Sequence, residues 1–352
     1  MLAVTLTNDV PANAAETKYK HSVSVGKIDT PKPVPGKQVL VKIQAVSYNH
    51  RDNWIRQGLY PGIQVGSVLG SDGVGVVVEG DDELNGKQVV IVPGKGWDND
   101  PRGPEGKYGI LGLLPHPGTW GEYVVVDKED VVPCPSHLSV SQAAAFPLAG
   151  LTAFRATFTK GEVRKGDNVL VTGIGGGVAL FALQFAVAAG ANVYVTSSKE
   201  DKIQRAIELG AKGGVNYRKE NWHKDLQALL GKGQISTVID GAGGAAYGVY
   251  PRVMRVGGII ANYGQTTTQH PVTFPMTYVL KNIDLRGSTM GSRKEFYDMV
   301  KFIDQHKIVP VVSQIWKGLT VDNIEDAFSV MRNGEQFGKL VIEMADTTNT
   351  KL

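Results

Sequence analysis

The sequence predicts an α/β protein in which an antiparallel, barrel-like domain precedes a doubly wound parallel sheet. Residues 1 to about 140 contain short strand patterns, such as KQVLVKIQAVSYN, VLGSDGVGVVVEG and GKQVVIVPG, separated by Gly, Pro and Asp. Such spacing favours antiparallel pairing. From Ser139 to about Gly291, strand and helix patterns alternate, as expected for parallel strands joined by helices. The length of 352 residues suits two domains, because one domain typically has about 150 residues.

Each element of the second region has a local signal. The segment SVSQAAAFPLAGLTAFRATF predicts a helix that begins with a capping box between Ser139 and Gln142. The strand NVLVTG follows, and then the helix GVALFALQFAVAAG, which we expect to end at Gly190. NVYVTSS, GGVNY, STVIDGAG, GGIIANYG and NIDLRGSTMG predict the remaining strands of the sheet. From Ser292 the chain continues with a helix and ends in the strand GKLVIEM, which we expect to return to the first domain.

Composition excludes several classes of protein. The net charge of +3 is too small to indicate nucleic acid or an anionic membrane as the main partner. Cys134 is the single cysteine, so neither an intrachain disulfide nor a zinc site with two or four cysteines can form. The first twenty residues lack the basic and apolar regions of a signal peptide. We expect a soluble, cytoplasmic protein that acts on a small molecule.

The strongest local motif is the glycine-rich segment NVLVTGIGGGVALFALQFA, in which a strand leads through a glycine loop into an apolar helix. Glycines at such a turn let the backbone approach a pyrophosphate, which binds at the helix N-terminus. Ala179 occupies the place of the third glycine of the usual motif, where alanine is tolerated. The residues of this loop expected to bind a dinucleotide are Gly173, Gly175, Gly176, Gly177 and Val178.

The residues after the second strand of the sheet favour NADP over NAD. An NAD site typically has Asp or Glu at the end of that strand to bind the ribose 2′-hydroxyl, but this strand ends in VTSSK. Hydroxyl and ammonium groups suit a 2′-phosphate instead. We expect the phosphate at Ser197, Ser198, Lys202 and Tyr217, although Lys202 could also belong to a solvated helix face.

Several motifs, in order, resemble the medium-chain dehydrogenase/reductase superfamily, and within it the zinc-independent quinone oxidoreductase branch. They are VSYNHRDNWIRQGLYPG, LGSDGVGVVVEG, GTWGEYVVVDKEDVVPCP, FPLAGLTAFRA, the glycine loop, TSSKEDKIQRAIELGAKGGVNYR, IIANYGQ and FGKLVIEM, and together they span nearly the whole chain. The resemblance implies a GroES-like β-barrel catalytic domain over residues 1–140, completed by residues 292–352. It also implies a Rossmann NADP-binding domain over residues 141–291.

The resemblance also implies that this chain lacks the catalytic zinc. Zinc members of the superfamily hold the metal with a Cys, a His-Glu pair and a further Cys or Asp. The corresponding positions here are Asn49, Ser71 with Asp72, and Leu148, and Asn, Ser and Leu are not normal zinc ligands. Without a Lewis acid to polarise a simple ketone, a quinone or an α,β-unsaturated carbonyl is the easier hydride acceptor. Hydrogen-bond donors then suffice to stabilise the developing oxyanion.

The candidate donors are Asn49 and Tyr60. In the family pattern, an Asn and a Tyr eleven residues later line the pocket beside the nicotinamide, and these two residues match that separation. Tyr60 could alternatively be a packing aromatic in a turn. We also expect Thr152 at the nicotinamide end of the cofactor, and Lys339 among the cofactor-binding residues. Asn262, Tyr263 and Gly264 end a strand at the carboxyl edge of the sheet, where cofactors bind.

The leading hypothesis is therefore an NADPH-dependent reductase of quinones, enones or related activated carbonyls. A zinc-free aldehyde or alcohol dehydrogenase remains an alternative, as does a cofactor-binding regulatory protein with little turnover. We also expect a homodimer, because the segment NIDLRGSTMG comes last in the parallel sheet and its exposed edge could pair with a second copy.

Overall fold

Strands dominate the first part of the chain and alternate with helices in the rest, in a computed structural model that describes residues 1–266 and 272–345. The strands are β1 (Leu2–Leu6), β2 (Val23–Lys27), β3 (Gln38–Ser47), β4 (Asp72–Glu79), β5 (Gln88–Ile91), β6 (Gly94–Lys95), β7 (Gly109–Ile110), β8 (Tyr123–Asp127), β9 (Val131–Pro133), β10 (Asn168–Val171), β11 (Asn192–Ser197), β12 (Gly213–Asn216), β13 (Ile235–Asp240), β14 (Met254–Asn262), β15 (Asp284–Gly287), β16 (Val312–Lys317) and β17 (Lys339–Glu343). The α-helices are α1 (Ala14–Thr17), α2 (His50–Arg56), α3 (Val140–Ala144), α4 (Pro147–Phe154), α5 (Gly177–Ala188), α6 (Glu200–Glu208), α7 (Trp222–Leu230), α8 (Tyr250–Val253), α9 (Thr277–Leu280), α10 (Arg293–His306) and α11 (Val321–Asn333).

The chain divides into two compact units. Unit 1 contains residues 1–148 and the described residues from Ser292 onward, and unit 2 contains residues 149–291. Residues 141–148, which the sequence analysis assigned to the second domain, belong to unit 1, where α3 packs against β3 and β4. Within the described parts of the chain, no helix is both long enough and apolar enough to cross a membrane.

Unit 1 is built on a mainly antiparallel sheet with the strand order β16-β17-β3-β4-β5-β9, and β8 pairs with β3. The C-terminal strand β17 lies between β16 and β3, so the chain returns to its first domain as the sequence predicts. Its core contains Val side chains of these strands together with the aromatic group of Tyr48, Trp120 and Phe328. The pairing of β17, β3 and β4 is what places the ends of these three strands next to one another.

Unit 2 contains the predicted doubly wound sheet. Its strands are all parallel and follow the order β12-β11-β10-β13-β14-β15. The order reverses direction between β10 and β13, and ligands of such sheets bind at the carboxyl ends of the strands near this point. The fold class predicted from the sequence is confirmed.

The ends of α3 and α5 can be compared with the local sequence signals that predict them. The capping box of Ser139 and Gln142 forms at the start of α3, and Gly190 follows α5 with φ of 83°, which suits a residue without a Cβ. The prediction of one continuous helix from Ser139 is wrong, because α3 ends at Ala144 and α4 begins at Pro147. Proline lacks the N–H that would continue a helix, but it fits the first helical position.

Candidate functional site

A buried polar cluster lies in unit 1 where β3, β4 and β17 meet. The antiparallel register sets Ser47 of β3 opposite Asp72 of β4 and opposite Val341 of β17. Asn49 follows β3 directly, and Lys339 is the first residue of β17. Sheet pairing therefore brings together residues that are far apart in the sequence.

The Lys339 ammonium group is at the centre of this polar cluster. Its Nζ donates to the Tyr48 carbonyl oxygen at 2.6 Å, to Asn49 Oδ1 at 2.7 Å and to Asp72 Oδ2 at 3.0 Å. The Lys339 side chain is 4% exposed and that of Asp72 is fully buried. An ammonium group has three hydrogens, and these three contacts use all of them. The assignment of Lys339 to the cofactor stays a prediction, while in the structure its ammonium binds oxygen atoms of unit 1 itself.

The Asp72 carboxylate accepts several hydrogen bonds within the same cluster. Its Oδ2 accepts from Ser47 Oγ at 2.6 Å and from Asn49 Nδ2 at 2.9 Å, in addition to Lys339. Its Oδ1 accepts the backbone N–H of Leu148 at 2.7 Å. Burying a carboxylate is costly unless it is paired and hydrogen-bonded, and these four donors with the ammonium charge meet that requirement.

The orientation of the Asn49 amide follows from its two charged neighbours. Lysine can only donate and a carboxylate can only accept, so Oδ1 must face Lys339 and Nδ2 must face Asp72. The second N–H of Nδ2 makes only a long contact, 3.5 Å, with Ser71 Oγ. Asn49 is thus held with one amide N–H only weakly engaged.

The residues present do not fit a catalytic zinc ion. The structure brings Asn49, Ser71, Asp72 and Leu148 together, which are the positions that the family resemblance relates to zinc ligands. Leu148 contributes a backbone N–H rather than a ligand atom. Asn and Ser are not normal zinc ligands. The Lys339 ammonium group already pairs with Oδ2 of Asp72. Among the described residues there is also no group of three or more His, Cys, Asp or Glu that could hold a metal.

Tyr60, the second predicted donor, lies at the edge of the unit 1 core. The guanidinium carbon of Arg51 is 4.8 Å from the centre of its ring, close enough for a cation–π interaction. Arg51 also donates to the Leu111 carbonyl oxygen at 2.8 Å. These contacts orient the Tyr60 ring, and among the described residues no group forms a hydrogen bond with its hydroxyl. The predicted packing role and the predicted donor role are both compatible with this position.

The glycine loop of unit 2 has the conformation that a phosphate cradle needs. Gly173 and Gly175 have φ values of 63° and 121°, which side chains rarely tolerate. A Cβ atom added at Gly173 would meet nothing within 4 Å, and one at Gly176 would meet only a backbone oxygen at 3.9 Å. Gly173 and Gly176 therefore leave room for a ligand, and the loop leads directly into Gly177 and Val178 at the N-terminus of α5.

The residues predicted for the 2′-phosphate gather near this loop. Ser197 ends β11, and its carbonyl oxygen accepts the N–H of Tyr217 at 3.1 Å. The carbonyl oxygen of the next residue, Ser198, accepts from Asn216 Nδ2 at 3.3 Å. Lys202, on α6, extends over the loop, because a Cβ atom at Gly175 would lie 3.3 Å from its Nζ. Burial lowers the pKa of Lys202, and the positive charge of Lys199 lowers it further.

The residues predicted for the other end of the cofactor occupy the ends of neighbouring elements in unit 2. The amide nitrogen of Asn262 donates to Asp240 Oδ2 at 3.0 Å and to the Gly264 carbonyl oxygen at 3.0 Å. The ring of Tyr263 lies directly on Gly241, where an added Cβ atom would come within 2.3 Å of it. Thr152 is buried and donates to Met290 Sδ at 3.7 Å.

Sequence reasoning missed Asp240, which organises this edge of unit 2. It is the last residue of β13 and is fully buried. Its only sequence signal is an acidic residue at the end of an otherwise apolar strand pattern, directly before the glycines of STVIDGAG. The donors that surround it come from distant parts of the chain and have no shared local pattern.

Comparisons with known proteins agree with this architecture. Residues 35–136 match the alcohol dehydrogenase GroES-like domain, and residues 177–305 match the zinc-binding dehydrogenase family. The zinc-type alcohol dehydrogenase-like protein YogA of Leptosphaeria maculans is 46% identical, over 89% of this chain and 92% of its own. An acryloyl-coenzyme A reductase of Sulfurisphaera tokodaii is 24% identical, over 90% of this chain and 95% of its own. The crystal structure of an NAD-dependent alcohol dehydrogenase is similar with a TM-score of 0.86 and 31% identity, covering 97% of this chain and 99% of the other.

The identity with the Leptosphaeria maculans protein extends across both units, and both family matches fall in the order in which the units occur. The chain therefore belongs to the medium-chain dehydrogenase/reductase superfamily and is an oxidoreductase.

Proposed function

We propose that the protein is an NADPH-dependent reductase of quinones, α,β-unsaturated carbonyls or related activated carbonyls that works without zinc. The observation that carries this proposal is the Lys339 ammonium group, 3.0 Å from Asp72 and 2.7 Å from Asn49. This cluster already holds a buried cation. A zinc ion bound by Asp72 would have to displace that ammonium group from a position that satisfies all three of its hydrogens.

The donor chemistry of unit 1 suits a conjugated carbonyl. Bound NADPH would supply the hydride for the β-carbon of an enone, and negative charge would then develop on the carbonyl oxygen. The weakly engaged N–H of Asn49 and the hydroxyl of Tyr60 donate to that oxygen and stabilise the enolate. Tyr60 or water would supply the proton for the α-carbon, so that one hydride and one proton together would complete the reduction. A quinone follows the same course, with the charge on a phenolate oxygen.

The cofactor preference rests on unit 2. Gly173, Gly175 and Gly176 would hold the pyrophosphate at the N-terminus of α5. Ser197 and Lys202 would hold the 2′-phosphate, with Ser198 and Tyr217 beside them. The end of β11 carries no acidic residue, and the ammonium group of Lys202 would pair with the charge of the phosphate.

A zinc-free alcohol dehydrogenase is the second candidate, because two of the similar proteins are named alcohol dehydrogenases or alcohol dehydrogenase-like. The name of the Sulfurisphaera tokodaii relative points instead to a conjugated acyl thioester. Initial rates with matched pairs, such as a saturated aldehyde and its α,β-unsaturated counterpart, separate the two candidates. The proposal predicts faster turnover of the unsaturated member of each pair.

The donor roles are tested with Asn49→Ala and Tyr60→Phe. Loss of one oxyanion donor typically lowers kcat by about 100- to 1,000-fold, and we expect a fall of that order on an enone with little change in NADPH affinity. Matched controls make the same chemical changes elsewhere in unit 1: Asn333→Ala at the exposed end of α11 and Tyr123→Phe on β8. Both controls should turn over like the wild type. Wild-type kcat in both donor variants would refute the donor roles.

A homodimer is also part of the proposal. Strand β15 is at the edge of the parallel sheet and is paired only with β14 among the described residues. Large apolar side chains are exposed in this strand, at Leu285, and in the segment that precedes it, at Phe274, Met276 and Leu280. An exposed edge with apolar neighbours is normally covered, and pairing about a two-fold axis would cover both copies at once.

A further inference from the structure

We propose that Asp240 is a positioning residue, which holds the glycine loop and the Asn262–Gly264 segment in the conformation that binds the dinucleotide. This inference rests on the proposed use of a nicotinamide dinucleotide. It adds a residue to the cofactor site that neither the glycine motif nor the resemblance to other dehydrogenases assigns.

The Asp240 carboxylate receives an unusually large set of donors. Its Oδ1 accepts from Thr172 Oγ1 at 2.5 Å, from the Tyr250 hydroxyl at 3.1 Å and from the Ala242 N–H at 3.2 Å. Its Oδ2 accepts from the Gly243 N–H at 2.9 Å, from Asn262 Nδ2 at 3.0 Å and from the Tyr247 hydroxyl at 3.1 Å. Two carboxylate oxygens offer about four lone-pair sites, so these six donors saturate the group.

The charge of Asp240 has no counter-ion among the described residues, although the side chain is fully buried. A buried, unpaired carboxylate costs several kcal/mol unless neutral donors replace its hydration. An uncharged Asn could not take its place, because half of its amide would direct N–H groups at other donors. Burial and the Asp240 charge also raise the pKa of Tyr247 and Tyr250, which keeps both phenols protonated as donors.

The origin of the donors connects Asp240 to the cofactor. Thr172 immediately precedes Gly173, and its backbone N–H also bonds to the carbonyl oxygen of Ile239 at 3.1 Å. Asn262 immediately precedes Tyr263, whose N–H bonds to the Asp240 carbonyl oxygen at 2.9 Å. One carboxylate therefore ties together the carboxyl ends of β10, β13 and β14, which are adjacent in the sheet. These ends form the edge at which doubly wound sheets bind dinucleotides.

Tyr250 provides an internal control for this idea. It donates to the same carboxylate but belongs to α8 rather than to either predicted cofactor segment. Loss of its hydroxyl removes one hydrogen bond from Asp240 without releasing the glycine loop or Asn262. If Asp240 only stabilised the fold, losing the Thr172 donor and losing the Tyr250 donor would have the same effect on cofactor affinity.

The experiment measures the dissociation constants of NADPH and NADP⁺ by fluorescence titration, together with the thermal unfolding temperature. Thr172→Val should weaken binding of both by about tenfold, the change that corresponds to one lost hydrogen bond to a charged group. Thr172→Ser keeps the hydroxyl and should restore wild-type affinity. Tyr250→Phe should lower the unfolding temperature yet leave both dissociation constants within about twofold. Asp240→Asn should weaken binding more than Thr172→Val, while kcat at saturating NADPH falls by less than the affinity does.

Two results would overturn the inference. One is equal affinity in Thr172→Val and the wild type, and the other is an affinity loss in Tyr250→Phe as large as that in Thr172→Val. If Asp240→Asn does not fold, the Thr172 and Tyr250 variants still decide the question. A wild-type protein that binds neither NADPH nor NADH would instead refute the proposed function, so the two failures are distinguishable.

Discussion

Replacing Lys339 by Met removes the buried cation of the unit 1 cluster and keeps a side chain of similar length. The Asp72 carboxylate then remains fully buried, 0% exposed, without its ion-pair partner. Removing one partner of a buried ion pair typically costs about 3–5 kcal/mol. Asp72 keeps the donors from Ser47, Asn49 and Leu148, so we expect a cost near the lower end, about 3 kcal/mol. For a unit of this size, each kcal/mol lowers the unfolding temperature by about 2–4 °C, which predicts a fall of about 6–12 °C.

Thermal unfolding followed by circular dichroism measures this fall, and Lys317→Met is the matched control. Lys317 pairs with Glu343 in the same unit, but its side chain is 76% exposed, and exposed pairs are typically worth about 0–1 kcal/mol. The double variant Asp72→Asn/Lys339→Met removes both charges and should be more stable than Lys339→Met alone. The reasoning fails if Lys339→Met unfolds at the same temperature as Lys317→Met, or if the double variant is less stable than Lys339→Met.

Cofactor preference, the loop around Glu105 and the oligomeric state give three further predictions. Wild-type protein should bind NADPH at least about tenfold more tightly than NADH, and Lys202→Ala should abolish most of that difference in the same titration; equal wild-type affinities would contradict the NADP assignment. Backbone N–H groups of Asn99, Asp100 and Asp98 lower the pKa of Glu105 to about 2, so Glu105 should stabilise its loop above the ordinary carboxyl range and lose this effect as the pH falls toward 2. Hydrogen exchange should therefore be faster in Glu105→Gln than in the wild type at pH 7 and similar at pH about 2, whereas equal exchange at pH 7 would refute it. Light scattering at micromolar concentration should give the mass of a dimer, and Leu285→Lys on β15 should give a monomer; a wild-type monomer would count against the edge-strand interface.

Much of the fold can be predicted from the sequence because its strands, helices and glycine loop each have a short local pattern. Alternation of strands and helices indicated the parallel sheet, and the glycine loop lies between β10 and α5 as predicted. The break between α3 and α4 was missed although Pro147 marks it, because the apolar pattern continues across it. An apolar pattern of helical period indicates which face is buried, but it does not show whether the segment forms one helix or two.

The side-chain networks could not be predicted in this way. Lys339 contacts Asp72 and Asn49 only because β17 pairs with β3. Lys339 and Asn49 are 290 positions apart in the sequence. Asp240 likewise takes donors from Thr172 to Asn262. The family resemblance related Asn49, Ser71, Asp72 and Leu148 to one site, but it could not show that a lysine ammonium belongs to the same cluster.

The most direct test of the central claim measures the rate of NADPH oxidation by an enone or quinone before and after exhaustive chelation, with the zinc content of the same sample determined by elemental analysis. We expect an unchanged rate and far less than one zinc per chain, because the Lys339 ammonium already pairs with Asp72 and Asn49, and Asn is not a normal zinc ligand. About one tightly bound zinc per chain, with activity that chelation abolishes and zinc restores, would contradict it.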